Sequence, residues 1–291
     1  MSNSVMVALD GSDKDARAMA VAAALADLAG TGLHLVRVFD TPVESLSARA
    51  GVLGVAAAAR GLREAMRGAL AGAADDLAAR SGRPVTWEVL DGPDVAGALM
   101  RHAGERDARF VVLGTRAAGA AGRTLRGSVA DRVMRESPRP VVLVPPGAEF
   151  MRGKQVRIGR VLVPLDGSAL AAKSVDYLTG LPGARELEYV LLEVVPPGDA
   201  AERALAEQRL DAAAARLRAG GAATVEVAVL AASDPSAAIT AAVREALVEL
   251  IAMSTRGAGG LRRMVLGSVA EGVVRTSEVP VMLLTPTDLG V

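Results

Sequence analysis

The chain has no cysteine, which removes disulfides, thiolate nucleophiles and cysteine-bearing metal sites together. Aromatic residues make up only 2% of it, so the core must be built from Ala, Val and Leu, a composition suited to sheets covered by Ala-rich helices. Net charge is missing too: 33 Lys and Arg balance 33 Asp and Glu, so no overall field draws nucleic acid or an anionic membrane. No run approaches the roughly 20 apolar residues that span a bilayer. The opening MSNSVMVALDGS has neither the basic start nor the apolar stretch of a secretory signal, so a cytoplasmic location is expected. Catalytic signatures are absent: no Walker A Lys behind a glycine loop, no H-E-x-x-H, no G-x-S-x-G. His34 and His102 are the only histidines and show no ligand spacing, so they are expected to fill core or surface rather than bind metal. Trp87 is expected to pack a sheet face, and the methionines to fill core.

What is present is a repeat. Residues 112–129 read VLGTRAAGAAGRTLRGSV and residues 252–269 read AMSTRGAGGLRRMVLGSV, which sets Thr115 on Thr255, Arg116 on Arg256, Gly127 on Gly267 and Ser128 on Ser268. The spacing of 140 residues makes this a duplication, and 291 residues suit two domains. Each copy reads as an apolar strand, a loop rich in Gly and Arg, and a Gly-Ser that opens an amphipathic helix. Such a helix start offers unpaired N–H groups and a positive dipole end, while glycine lets backbone approach a ligand, so phosphate-sized anions fit. A plain loop end and N-cap is the other use of Gly-Ser.

Taken in order, strands are expected at 4–9, 33–39, 85–90, 109–113 and 140–144, with helices at 13–29, about 60–80, 95–106 and 127–137 between them. Strands alternating with helices argue for a parallel, doubly wound α/β sheet. The second half repeats this order from RVLVPLDGS at 160–168, which matches SVMVALDGS at 4–12 at an offset of 156 and places Asp166 on Asp10. The offset falls from 156 to 140, so the first half carries an excess, expected as a surface excursion near 41–59. Residues 146–158 mix Pro, Gly and charge and read as a linker between domains at 1–148 and 157–291.

These residues resemble the universal stress protein family, as a tandem pair covering both halves nearly end to end. The resemblance rests on the strand-one LDGS, on LGTR and MSTR at the end of strand four, on the GSVA helix start, and on the closing P-V-x-L. Nucleotide-binding members carry Gly, two residues, Gly, nine residues, then Gly-Ser or Gly-Thr. The first half keeps Gly114 and Gly127-Ser128 but has Ala117; the second keeps Gly257 and Gly267-Ser268 but has Ser254. The resemblance implies two flavodoxin-like (Rossmann-like) domains with five-stranded parallel sheets, packed as an intramolecular pseudo-dimer through their fifth strands, with further homodimerisation open. It also implies an adenine nucleotide, most often ATP and with Mg²⁺ as a candidate companion, over the carboxyl ends of the strands.

By the same resemblance, Asp10 and Asp166 face the adenosine end, and Val38 and Val194 line the adenine pocket. Gly114, Gly127 and Ser128 in one half, with Gly257, Gly267 and Ser268 in the other, hold phosphates, and Arg116 and Arg256 add charge; Ser254 departs from the family pattern, but its hydroxyl is itself a phosphate donor. The aspartates would serve equally as N-caps of the following helices. Ala117 adds a methyl where the loop needs close approach or positive φ, so the second half is the favoured site, with occupation of both halves the alternative close behind. The expected function is a nucleotide-binding regulator or sensor of the stress response, acting on an unidentified protein partner. A nucleotide-free interaction scaffold and a slow ATP hydrolase are the alternatives.

Overall fold

In the computed structural model, residues 3–40, 52–115, 128–146, 156–255, 266–285 and 290 are described. The first half runs β1 (Val5–Leu9), α1 (Lys14–Ala29), β2 (Leu33–Phe39), α2 (Val52–Ser81), β3 (Val85–Asp91), α3 (Val95–Glu105), β4 (Phe110–Gly114), α4 (Ser128–Glu136) and β5 (Val141–Val144). The second runs β6 (Arg160–Leu165), α5 (Ala169–Thr179), a short 3₁₀ turn (Ala184–Glu186), β7 (Glu188–Val195), α6 (Ala200–Ala219), β8 (Thr224–Ala231), α7 (Pro235–Glu245), β9 (Leu250–Ser254), α8 (Ser268–Thr276) and β10 (Val281–Leu284).

All ten strands join one sheet, ordered β3-β2-β1-β4-β5-β10-β9-β6-β7-β8. Within each half every pairing is parallel, and the halves meet at an antiparallel pair in which Val281 faces Leu143 and Leu283 faces Val141. Val142 and Met282, opposite each other across this seam, are fully buried. The expected fold class is therefore observed, with the fifth strands forming the joint. Central strands such as β10 are buried along their whole length, as a parallel sheet covered on both faces requires. Small residues let helices lie close to the sheet: Ala18, Ala22 and Ala26 of α1 are fully covered. Gly30 ends α1 in the left-handed conformation at φ 63°, where its N–H bonds the Ala26 and Asp27 carbonyls.

Two expectations need correcting. The excursion near 41–59 is shorter, because the Ala-rich run beginning VLGVAAAA carries α2 from Val52 over 30 residues; residues 41–51 lie outside the described ones. Trp87 is 37% exposed, because β3 is an outer edge of the sheet. Met6, Met66, Met134, Met253 and Met282 are buried, as expected. Among the described residues no helix is long and apolar enough to cross a membrane.

Candidate functional site

Strand order reverses beside β1, which lies between β2 and β4, and beside β6, which lies between β7 and β9. Open α/β sheets offer a crevice at such points, outside the carboxyl ends of the strands. Asp10-Gly11-Ser12 leaves β1 there and Asp166-Gly167-Ser168 leaves β6. The two turns are built alike: the Ser12 N–H donates to Asp10 Oδ1 at 3.1 Å, the Ser168 N–H to Asp166 Oδ1 at 3.0 Å, and Gly11 and Gly167 have φ of 84° and 76°. Only glycine adopts that φ without strain. The aspartates thus brace their own turns and do not cap the helices. Ser168 caps α5 by accepting from the Ala171 N–H at 3.0 Å, whereas the residue at the start of α1, Asp13, makes no such bond.

Around these turns the halves differ. In the first, Lys14 Nζ lies 2.6 Å from Asp10 Oδ2, and Asp15 accepts from the Asp10 and Gly11 N–H groups. Partial burial pushes the Asp10 carboxyl up, but hydrogen bonds from Lys14 and Ser12 overcome it and hold the group below the usual carboxylate range. The Lys14 stem crosses the end of β4, where a Cβ on Gly114 would lie 3.1 Å from the Lys14 Cβ and Cγ. In the second half Leu170 stands where Lys14 would, and buried Ser254 where Gly114 would. Each half also sets a guanidinium over its turn glycine. A Cβ on Gly11 would meet Arg37 Nη2 at 2.6 Å, and one on Gly167 would meet Arg209 Nε at 3.1 Å. Arg209 is held by buried Glu193, with Nε to Oε2 at 3.3 Å, and by Glu202 at 2.6 Å.

Val38 is buried and Val194 half-buried near the ends of β2 and β7. Ser128 and Ser268 are exposed first residues of α4 and α8. Gly267 precedes α8 with no side-chain cap, and its N–H bonds the Thr255 carbonyl at 2.9 Å, tying the helix start to the end of β9. By contrast α3, α5, α6 and α7 are each closed by a side chain, from Asp94, Ser168, Asp199 and Asp234. Pro164 carries no N–H, and β6 pairs with β9 only at Val161 and Leu162, against four pairs between β1 and β4. Arg116, Ala117, Gly127, Arg256 and Gly257 lie outside the described residues.

Sequence reasoning missed Lys14, Arg37, Arg209 and the histidines. Lys14 had a signal, since it stands four residues after Asp10. The histidines had none, because sheet register brings them together: His34 on β2 pairs with Thr86 on β3, and α3 lays His102 over both. The two Nε2 atoms are 2.8 Å apart, His34 Nδ1 is 2.7 Å from Thr86 Oγ1, and Glu88 Oε2 is 3.7 Å from His102 Nε2. Both rings are buried. Burial first, then the nearby Arg106 charge, pushes His34 down to about 4; burial also lowers His102. Both residues are buried, as a core role requires, but they are partners of one another, which the absence of any spacing between them did not predict.

The model of the universal stress protein family matches residues 1–145 and again 157–285, and the chain belongs to that family. No curated protein matches it. Over 98% of the chain and 99% of the other, it resembles a universal stress protein from Archaeoglobus fulgidus DSM 4304 at 22% identity and a TM-score of 0.69. It also resembles a functionally unknown protein from Pseudomonas aeruginosa PAO1 at 15% identity and a TM-score of 0.65, over 99% of this chain and 94% of that one. At these identities the likeness is one of fold.

Proposed function

We propose that the chain binds an adenine nucleotide, ATP foremost and with Mg²⁺ as a candidate companion, at the carboxyl edge of its second half. On this reading it serves in the cytoplasm as a nucleotide-responsive regulator of the stress response, through a protein partner, and not as a catalyst. The observation that carries the reading is the start of α8. Four other helices close their first turn with their own Asp or Ser, while α8 begins at Gly267 with no side-chain cap, at the strand edge where such folds take ligands. Ser254 and Ser268 would add hydroxyl donors, Gly257 and Arg256 the loop contacts, and Asp166 and Val194 would face the adenosine. In the first half the Lys14 stem over Gly114 and the Lys14–Asp10 ion pair fill the corresponding space, which favours the second half for the nucleotide. For the nucleotide to regulate, it must bind two conformations unequally.

The test is a count of adenine nucleotide released on denaturing freshly purified full-length protein, followed by calorimetric titration with ATP and Mg²⁺. One nucleotide per chain is expected, lost in the Gly257→Leu, Gly267→Leu variant and retained in Lys14→Ala. No nucleotide and no uptake of ATP would leave the interaction-scaffold reading. Multiple turnover abolished by Asp166→Ala would establish the hydrolase reading.

A further inference from the structure

We propose that His34, Glu88 and His102 form a binding site for one divalent transition-metal ion, Zn²⁺ by the chemistry of its ligands. The two imidazoles turn their Nε2 atoms towards one point, with a carboxylate oxygen beside it, and the three ligand atoms lie within 4.8 Å of one another. Tetrahedral Zn²⁺ with bonds of about 2.0–2.1 Å sets its ligand atoms roughly 3.3 Å apart. The separations of 2.8 Å between the rings and 3.7 Å from His102 to Glu88 bracket that value, and the third pair lies within 4.8 Å, so no ligand separation has to change by more than about 1.5 Å to accept the ion. Two imidazoles and one carboxylate suit Zn²⁺ and similar ions, not Mg²⁺ or Ca²⁺, which take oxygen ligands.

The surroundings are those a metal ligand needs. The Thr86 hydroxyl, 3.4 Å from the Leu33 carbonyl, donates there and accepts from His34 Nδ1–H, which leaves the His34 Nε2 lone pair pointing at the shared position. Arg106 Nη2 donates to Glu88 Oε2 at 3.0 Å and orients the carboxylate from outside. Glu88 is 44% exposed, which opens the cluster to solvent and supplies an entry path.

The second half supplies an independent observation. At the matching positions of the duplicated scaffold stand Val190, Ala228 and Ala242, with Ala246 in place of Arg106, all packed into one apolar cluster. The fold therefore fills this place with hydrocarbon where nothing is to be bound. Burying two imidazoles there instead costs desolvation, which a metal ion would offset.

The site is tested on full-length protein stripped with a chelator and titrated with zinc sulfate by calorimetry. The expected result is one tightly held Zn²⁺ per chain. The double variant His34→Val, His102→Ala writes the second half's residues into the first. It is expected to keep its far-ultraviolet circular dichroism and to lose far more affinity than the roughly 10–100-fold that removing an outer-shell partner costs. Thr86→Val, which removes such a partner, is expected to fall within that range. Glu88→Gln alters a half-exposed side chain and is expected to weaken Zn²⁺ at least tenfold, so it decides the matter if the double variant does not fold. Absence of Zn²⁺ uptake by the stripped protein, or uptake unchanged in these variants, overturns the proposal. The nucleotide count is expected to be unchanged in all of them, which separates this site from the one at α8.

Discussion

Where the first half holds His34, Glu88 and His102 between a strand pair and its helix, the second holds Val190, Ala228 and Ala242. A second difference lies three residues further along the same strands, near their ends. There the first half has Arg37 and the second has buried Glu193, which with Glu202 grips Arg209. The backbone, the strand order and the Asp-Gly-Ser turns are common to both halves. Duplication thus separates what the two copies share from what each adds. Neither polar cluster recurs at the matching positions of the other half, so each is an addition to the shared scaffold.

The largest expected effect lies at Glu193. It is 3% exposed, so Glu193→Ala leaves Arg209 with only Glu202 in a partly covered setting. Breaking a buried pair costs about 3–5 kcal/mol; because Arg209 is 32% exposed and keeps a carboxylate, roughly 2–3 kcal/mol is expected. Arg37→Ala, at the matching position, is expected to cost under about 1 kcal/mol. Equal losses in urea unfolding would show that the two ends are held alike.

Next comes the pH dependence of the histidine cluster in chelator-treated protein. His34 is held near 4 against an ordinary 6.5, so between those values the unfolded chain binds more protons than the folded one. Its contribution is complete above about pH 6.5 and is lost as pH falls towards 4. At about 1.4 kcal/mol per pH unit the loss reaches roughly 2 kcal/mol by pH 5. The measurement is the stability of wild type minus that of His34→Val at several pH values, because the carboxylates common to both then cancel. A difference that stays flat from pH 7 to 4.5 would mean that His34 charges freely within the fold, and that the halves do not differ here in acid response.

How much of this was legible follows from where each interaction is encoded. The Asp-Gly-Ser turns, the alternation of strand and helix and the duplication lie in short stretches of sequence, and the observed elements follow them closely. The start of α2 falls inside the excursion expected at 41–59, because the Ala run at 56–59 favours helix and extends it back to Val52 through Gly54. At the candidate nucleotide site the spacing of Ser254, Gly257 and Gly267 was visible, but the missing cap of α8 shows only beside the capped helices. The histidine cluster was not legible, since residues 34, 88 and 102 meet only through the register of β2 on β3 and the seating of α3. Lys14 over Gly114 is likewise a contact between the start of α1 and the end of β4, about 100 residues apart in sequence, that no local pattern announces.

The smallest expected difference concerns the helices that leave the two strand-one turns. Both turns are made by the same three residue types, yet the helix after each is started differently. Ser168 has extended dihedrals, φ −74° and ψ 149°, and its Oγ accepts from the Ala171 N–H, so Ser168→Ala removes one satisfied donor and is expected to cost about 1 kcal/mol. Asp13 already has helical dihedrals, φ −57° and ψ −20°, and makes no cap bond, so Asp13→Ala is expected to change stability by less than about 0.5 kcal/mol. The first half satisfies its turn one residue pair later, where Asp15 accepts from the Asp10 and Gly11 N–H groups. Asp15→Ala is therefore expected to resemble Ser168→Ala in cost and to exceed Asp13→Ala. Thermal unfolding of the three variants ranks them, and an Asp13 effect as large as that of Ser168 would mean that the two helices begin alike in solution.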